Sequence, residues 1–390
     1  MTAILSRFRA GSASRPASAR IEIVTAEALA AGDRDWDALS ERAADPHPHF
    51  SRHVVEAHRA HGLAPRDLGL VTVRHGDRLD AVLPFTRGLD ITGFGRAVAK
   101  PFLSPFVTST APLVAEGPEF AETMLLLTEG LAQASGGRAW RWPLLSTQAR
   151  VGAALLAAMR AEGWSFAEIE SFERPVLERR PDHDAFLDGH PHKNRLKDLR
   201  RRRRRLEETG RLTIETAREG GALAEAVEAF LALEAAGWKG EAGTALRSRP
   251  RTEAFARSLF AATGGPIGIR ADTLALDGRP LAISLALIAG RNAALLKTAY
   301  DEGERQAAPG LLLEAEIVRA LHETAFADRL DSATLPGSAL ESLYREREIV
   351  AEIIAVPPGG DGLVSLERRV RLARFEHAAK AEAKRLLRRG

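Results

Sequence analysis

The chain has 390 residues, 45% hydrophobic and 27% charged, with a net charge of +3 and no cysteine. That length suits two ordinary domains. The lack of cysteine excludes disulfides, thiolate metal sites and a cysteine nucleophile. It also fits a cytoplasmic location, and no run approaches the ~20 apolar residues of a membrane span, so none is expected.

Residues 1–19 carry arginines without an acid, spaced by Ser, Ala and Gly, and lack the apolar core of a secretory signal. They read as a disordered leader. A first unit, 20–180, follows. It opens with a strand over 20–25 and helices around Trp36–Leu39 and 53–61. A hairpin over 67–85 turns at His75-Gly76-Asp77. Then come a strand near 112–114, a helix over 118–134, a strand over 139–142, a helix over 149–162 and a strand over 164–170. Residues 181–210 form a basic connecting helix, with six consecutive arginines from Arg200 to Arg205 and Gly210 as its expected C-terminal stop.

The second unit, 211–356, repeats the first in order. Ile214 corresponds to Ile23 and Arg279 to Arg78, so the second copy is about ten residues longer between these points, around 238–250. Its hairpin turns at Asp277-Gly278, a strong two-residue turn signal. Strands over 293–300, 329–333 and 349–356 alternate with a helix over 310–326 and a short helix near 339–345. The expected fold class is therefore α/β, an α+β mixed-sheet layout with helices covering the sheet. Residues 357–390 are a Pro/Gly linker and a basic helical tail. The tail docks on the body or lies on an anionic membrane surface.

Candidate residues cluster in the second copy. Pro309-Gly310 starts a helix directly after the apolar strand. Free N–H groups and the helix dipole favour an anion there. Tyr300, Arg305, Gln306 and Leu311 flank this point, although Pro also suits a first helical turn for conformational reasons alone. Glu234, Trp238 and Lys239 bracket a bend that suits an acceptor cleft. Glu234 is a candidate general base if burial raises its pKa. Lys297 interrupts an apolar strand, which is costly unless it faces a cleft or pairs. Asp301 lies on the same side as Lys297, Tyr300 on the other, and Asp331 is a candidate ion-pair partner or substrate contact. His47, His49 and His53, with Pro46 and Pro48, read as a loop and helix start rather than a metal site. The arginine run lacks the aromatics of a single-strand nucleic-acid surface. It suits a solvated face or an anionic acceptor.

The order of elements is similar to that of GNAT acetyltransferases. The second copy resembles the cellulose-biosynthesis-type (BcsL/CelD-like) acetyltransferase family, itself related to Fem-type aminoacyltransferases with paired GNAT-like domains. The resembling stretches are Lys193–Arg201, Leu206–Gly210, Leu233–Gly240, Asp277–Ala282, Leu296–Asp301, Pro309–Leu312 and Asp331–Ala333. The chain departs at Ala308, where the family usually has Ser, and lacks a His near Ser338. The resemblance implies tandem GNAT-like domains, the first a degenerate scaffold and acceptor-binding unit. It also implies acetyl-CoA as co-substrate and no metal. Acyl-CoA would be bound by Tyr300, Arg305, Gln306, Pro309, Gly310 and Leu311, and the acceptor by Trp238, Lys239, Lys297 and Asp331. Glu234 or Asp301 would be the base, and Tyr344 the acid that reprotonates the CoA thiolate. The acceptor is a small molecule or a glycan or lipid precursor, with nucleic acid disfavoured. The alternatives are a Fem-type transferase that uses aminoacyl-tRNA and a non-catalytic GNAT-like subunit of a polysaccharide or lipid pathway.

Overall fold

The computed structural model describes residues 19–30, 33–360 and 364–387. The expected leader lies outside the described residues except for Ala19. The first copy runs β1 (Ala19–Thr25), α1 (Ala26–Ala30), α2 (Asp33–Glu41), α3 (Arg52–Ala60), β2 (Gly69–His75), β3 (Arg78–Leu89), β4 (Ala97–Pro101), β5 (Leu113–Val114), α4 (Phe120–Ser135), β6 (Trp140–Ser146), α5 (Arg150–Ala161) and β7 (Ser165–Glu178). Helices α6 (His183–Leu187) and α7 (Lys193–Glu207) lead to the second copy. That copy runs β8 (Leu212–Ala217), α8 (Gly220–Ala236), α9 (Trp238–Glu241), α10 (Pro250–Leu259), β9 (Ile267–Leu276), β10 (Arg279–Ala289), β11 (Asn292–Tyr300), α11 (Pro309–Thr324), β12 (Arg329–Asp331) and β13 (Glu346–Val356). Helix α12 (Leu366–Leu387) follows.

The hairpins form where turn chemistry demands. Asp277 (φ 50°) and Gly278 (φ 81°) both adopt positive φ, as a turn matching strand twist requires. Gly210 is not a left-handed helix stop. A Cβ there would sit 2.3 Å from Asp277 Oδ2, so glycine permits a close approach to the second hairpin. The strand expected near 112–114 is the two-residue β5, lying on β3. The strand that corresponds to β11 is β4. It is short, follows Gly93 and Gly95, and ends in Pro101, so it carries little strand signal.

Among the described residues the strands join in one sheet, ordered β1-β2-β3-β4-β6-β13-β7-β12-β11-β10-β9-β8, with β5 on β3. The centre of this order crosses between copies. β13, the last strand of the second copy, lies antiparallel between β6 and β7 of the first. β7, the last strand of the first copy, pairs through Val176–Glu178 with β12 of the second. Each copy completes its sheet with a strand of the other.

The core has three main parts. In the first copy, Trp36, Trp140 and Trp142 are fully buried among the strands, α4 and α5. In the second, α8 and α10 cover one face of β9–β11 together with Val54, Ala57 and Phe106 of the first copy. α7 and α11 cover the other face. The tail helix docks on the body. Arg374 donates to the carbonyl of Ile169 (2.9 Å), and Glu376 joins Glu352 and Asp90 around the buried Arg141. Val370 and Ala373 are buried, while Phe375 and Leu386 stay exposed. Among the described residues no helix is long and apolar enough to cross a membrane.

The exchanged strands should make the two copies one cooperative unit. Ile354, fully buried between β6 and β7, tests this. Ile354→Ala should cost about 2–4 kcal/mol. Guanidinium unfolding followed by tryptophan fluorescence, which reports mainly the first copy, should coincide with unfolding followed by far-ultraviolet circular dichroism.

Candidate active site

The site is built on β11. Leu285 pairs with Lys297 but Ala286 pairs with Leu295, so Leu296 is an extra residue, a bulge. Ala293 and Leu295 pack under α11, whereas Ala299 and part of Leu296 pack toward α8 and α10. β12 pairs only with Asn292–Ala294. From Leu295 to Tyr300 that edge of β11 has no strand partner, and the sheet splits into a wedge. The Asp301 N–H donates to the Leu281 carbonyl on the β10 side (2.8 Å). By strand alternation the amides of Tyr300 and Thr298 therefore face the open edge.

The first turn of α11 lies against that edge. A Cβ on Gly310 would be 3.4 Å from Tyr300 Cδ1 and 3.9 Å from Thr298 Cγ2. The preceding Ala308 is left-handed (φ 53°) and offers no side-chain cap. The Leu311 and Leu312 amides both donate to the Ala308 carbonyl (3.0 Å each), and Pro309 has no N–H. The Gly310 amide is left to meet an anion at the positive end of the helix. Arg305 and Gln306 lie exposed in the preceding 3₁₀ segment, Glu302–Ala307. Arg202 of α7 holds the Gln306 carbonyl, and Arg203 pairs with Glu316 of α11, so the basic helix braces this end of the wedge. Lys193, Lys197, Arg200, Arg204 and Arg205 point outward and are exposed.

The opposite face of β11 holds the Glu234 group. Glu234 is 6% exposed, and both of its oxygens are taken. One accepts from Lys239 Nζ (2.8 Å), the other from the Leu246 amide (2.8 Å). Glu234, the expected base, thereby clamps the loop after α8. The glycines of the Gly237-Trp-Lys-Gly240 stretch serve the same loop. A Cβ on Gly240 would lie 1.8 Å from the Ala235 carbonyl oxygen, and one on Gly237 2.6 Å from Glu302 Oε1. Glu302 in turn accepts from the Trp238 amide (3.0 Å), tying this loop to the segment before α11. The Trp238 ring is left 57% exposed. Lys297 faces this side, with Nζ 4.6 Å from the Phe106 ring centre. Burial lowers its pKa, the nearby Lys239 lowers it further, and Glu234 opposes both.

Asp301, the other expected base, caps Gly303 (2.9 Å) and pairs with Arg279. Asp331 does not pair with Lys297. One oxygen accepts from the Ala333 amide (2.8 Å) and the other lies 3.4 Å from Arg174 of β7. Tyr344 is fully buried, and its hydroxyl donates to Glu314 of α11 (2.6 Å). Burial and the Glu314 charge push its pKa well above the ordinary phenol value, and the hydroxyl, expected as the acid, holds α11 from beneath. Glu314, Phe106 and Arg174 were not expected. Each belongs to an apolar or alternating stretch, and only the fold brings it to the site.

A sheet split at a bulged strand, with a helix N-terminus against the split, is a GNAT-like mixed α/β layout, here built from two copies of one unit. Residues 193–334 match the family described as "Acetyltransferase (GNAT) domain". Among solved structures, FemX matches with a TM-score of 0.54 and 12% identity, covering 87% of this chain and 97% of that one. A conserved protein of unknown function from Bacteroides thetaiotaomicron matches at TM-score 0.49 and 13% identity, over 86% and 99%. A tandem GNAT protein from the clavulanic acid biosynthesis pathway matches at TM-score 0.38 and 14% identity, over 88% and 99%. No curated protein matches in sequence.

Glu314 gives this site a pH signature. It is 1% exposed, and desolvation raises its pKa from 4.5 to about 7 against the opposing Tyr344 hydrogen bond. Between these values the unfolded chain has lost the proton and the folded one has not. Stability should therefore fall as pH rises through that window. Glu314→Gln should flatten the dependence and stabilise the protein at pH 8 by on the order of 3 kcal/mol, measured by denaturant titration across pH.

Proposed function

We propose that the protein transfers an acyl group, in the first instance acetyl, from acyl-CoA to an amine or hydroxyl. The acceptor is a small molecule or a glycan or lipid precursor, as in the cellulose-biosynthesis-type (BcsL/CelD-like) acetyltransferases. The supporting observation is the bulged, half-unpaired β11 with the α11 N-terminus against its open edge, inside the matched GNAT region. In this reading the CoA pyrophosphate lies at Pro309, Gly310 and Leu311, with Arg305 and Gln306 beside it. The pantetheine arm runs past Tyr300 along the open edge, where free strand amides can pair with it. The thioester carbonyl lies at the bulge, and an N–H there stabilises its developing oxyanion.

The acceptor enters from the opposite face, past Trp238, Lys239 and Lys297. Its nucleophile attacks the thioester carbon, the C–S bond breaks and CoA leaves as the thiolate. The corresponding place in the first copy is filled by side chains. β4 and β6 meet only at Ala99–Trp140, and Phe102, Trp140 and Trp142 fill the space there. Its role is scaffold and acceptor binding. A second reading, transfer of an aminoacyl group from tRNA, draws on the exposed cations of α7. It would appear as tRNA binding that weakens steeply with salt.

Calorimetry with acetyl-CoA tests the first reading. Micromolar binding is expected, and Gly310→Glu, which places a carboxylate at the anion site, should weaken it at least ~30-fold with little change in melting temperature. Absence of binding to the parent protein would overturn the proposal. Lys297→Met should leave acetyl-CoA affinity unchanged and melting temperature equal or higher, because a partly desolvated cation is removed. Acceptor-dependent CoA release should still fall by about tenfold or more.

A further inference from the structure

Beside the paired start of β11, where the two copies meet, a cavity is lined by Asp45, His47, His49, Ser146, Ala294 and Asp331, among others. His47 Nε2 lies 2.9 Å from the Ala111 carbonyl oxygen. A carbonyl can only accept, so Nε2 carries the proton and Nδ1 presents a lone pair. That Nδ1 is buried without a partner, and so are His49 Nδ1, Ser146 Oγ and, behind Asp331, Arg174 Nε. His49 and Ser146 are 1% and 5% exposed. An orphaned buried polar atom is costly, so their grouping at this junction points to a polar ligand that completes them.

Position strengthens the case. Ala294 in the cavity wall lies two residues, about 7 Å along the strand, from the bulge at Leu296. Burial lowers the pKa of His47 to about 4, so its ring is neutral near pH 7 and its lone pair is available. Asp45 and Asp331 each spend one oxygen on a backbone amide, of Val151 (2.6 Å) and Ala333 (2.8 Å). The His47 Nδ1 lone pair and the second Asp45 oxygen can accept, and the Ser146 hydroxyl can donate or accept, which suits a ligand that brings an N–H or O–H donor.

We propose that this cavity seats the acceptor's nucleophilic amine or hydroxyl, and that His47 Nδ1 takes the proton this group loses on acyl transfer. The assignment rests on the acyl-CoA reading above. The nucleophile's lone pair forms the new bond to the acyl carbon, the thioester C–S electrons leave with the CoA sulfur, and the proton passes to His47 and on to the thiolate. The catalytic group comes from the first copy and the thioester from the second, so neither copy is competent alone.

Hydroxylamine is a nucleophile small enough to serve as probe. The parent protein should accelerate acetohydroxamate formation from acetyl-CoA. His47→Gln keeps a donor for the Ala111 carbonyl but lacks the free ring nitrogen. It should lower that rate about 100-fold while binding acetyl-CoA as the parent does. His47→Ala should behave alike, and circular dichroism verifies the fold of both. Undiminished rates in folded variants, or no acceleration by a parent protein that binds acetyl-CoA, would overturn the assignment of His47. Failure of the parent protein to bind acetyl-CoA would instead remove the reading on which it rests.

Discussion

The reciprocal strand exchange at the sheet centre is the constraint on which the remaining geometry depends. β13 is held on both sides by first-copy strands, β6 and β7, and β7 in turn reaches β12. Because β12 contributes only three residues, β11 loses its neighbour after Ala294 and the wedge opens there. The exchange also carries side chains across. Arg174 rides on β7 to reach Asp331, and Tyr344 enters beneath α11 just before β13 begins. A conventional arrangement of two separate sheets would leave the junction between copies as a surface rather than a cavity with buried imidazoles.

Buried polarity is distributed unevenly, and this separates scaffold from candidate chemistry. Glu234, Asp301 and Tyr344 all have their polar atoms committed to protein partners. Such groups hold loops and helices at fixed positions, and their desolvation is offset by the bonds they make. Around β11 the uncommitted atoms include the Gly310 amide, the open-edge amides of β11 and the orphaned atoms of His47, His49 and Ser146. They lie along β11, from Tyr300 and Thr298 beside the start of α11 to Ala294 in the wall of the cavity between copies. The basic helix α7 braces the α11 end, and the clamped loop carrying Trp238 is tied to the segment before α11 through Glu302.

Some of this was legible from residue order. The hairpin at Asp277-Gly278 follows from two residues that tolerate positive φ, and α11 from a Pro at a first helical turn. The internal repeat was visible because each copy spells the same alternation of apolar periods. β4 escaped because five residues bounded by glycines and a proline carry almost no periodic signal. Lys297 stood out as a cation in an apolar strand, but its neighbour is the Phe106 ring from the other copy. His47 and His49 looked like loop residues. Nothing local distinguishes an imidazole in a turn from one that lines a cavity.

The sequence by itself determined the local elements, the repeat, the anion-ready start of α11 and the clustering of candidates in the second copy. These depend on interactions a few residues apart, which composition and spacing encode directly. Only the tertiary structure decided which carboxylates are free, where β11 parts from β12, and that a histidine pair of the first copy stands beside the bulge of the second. Those outcomes come from contacts between residues separated by more than a hundred positions. Their partners are chosen by sheet register and packing, which no short stretch of sequence contains.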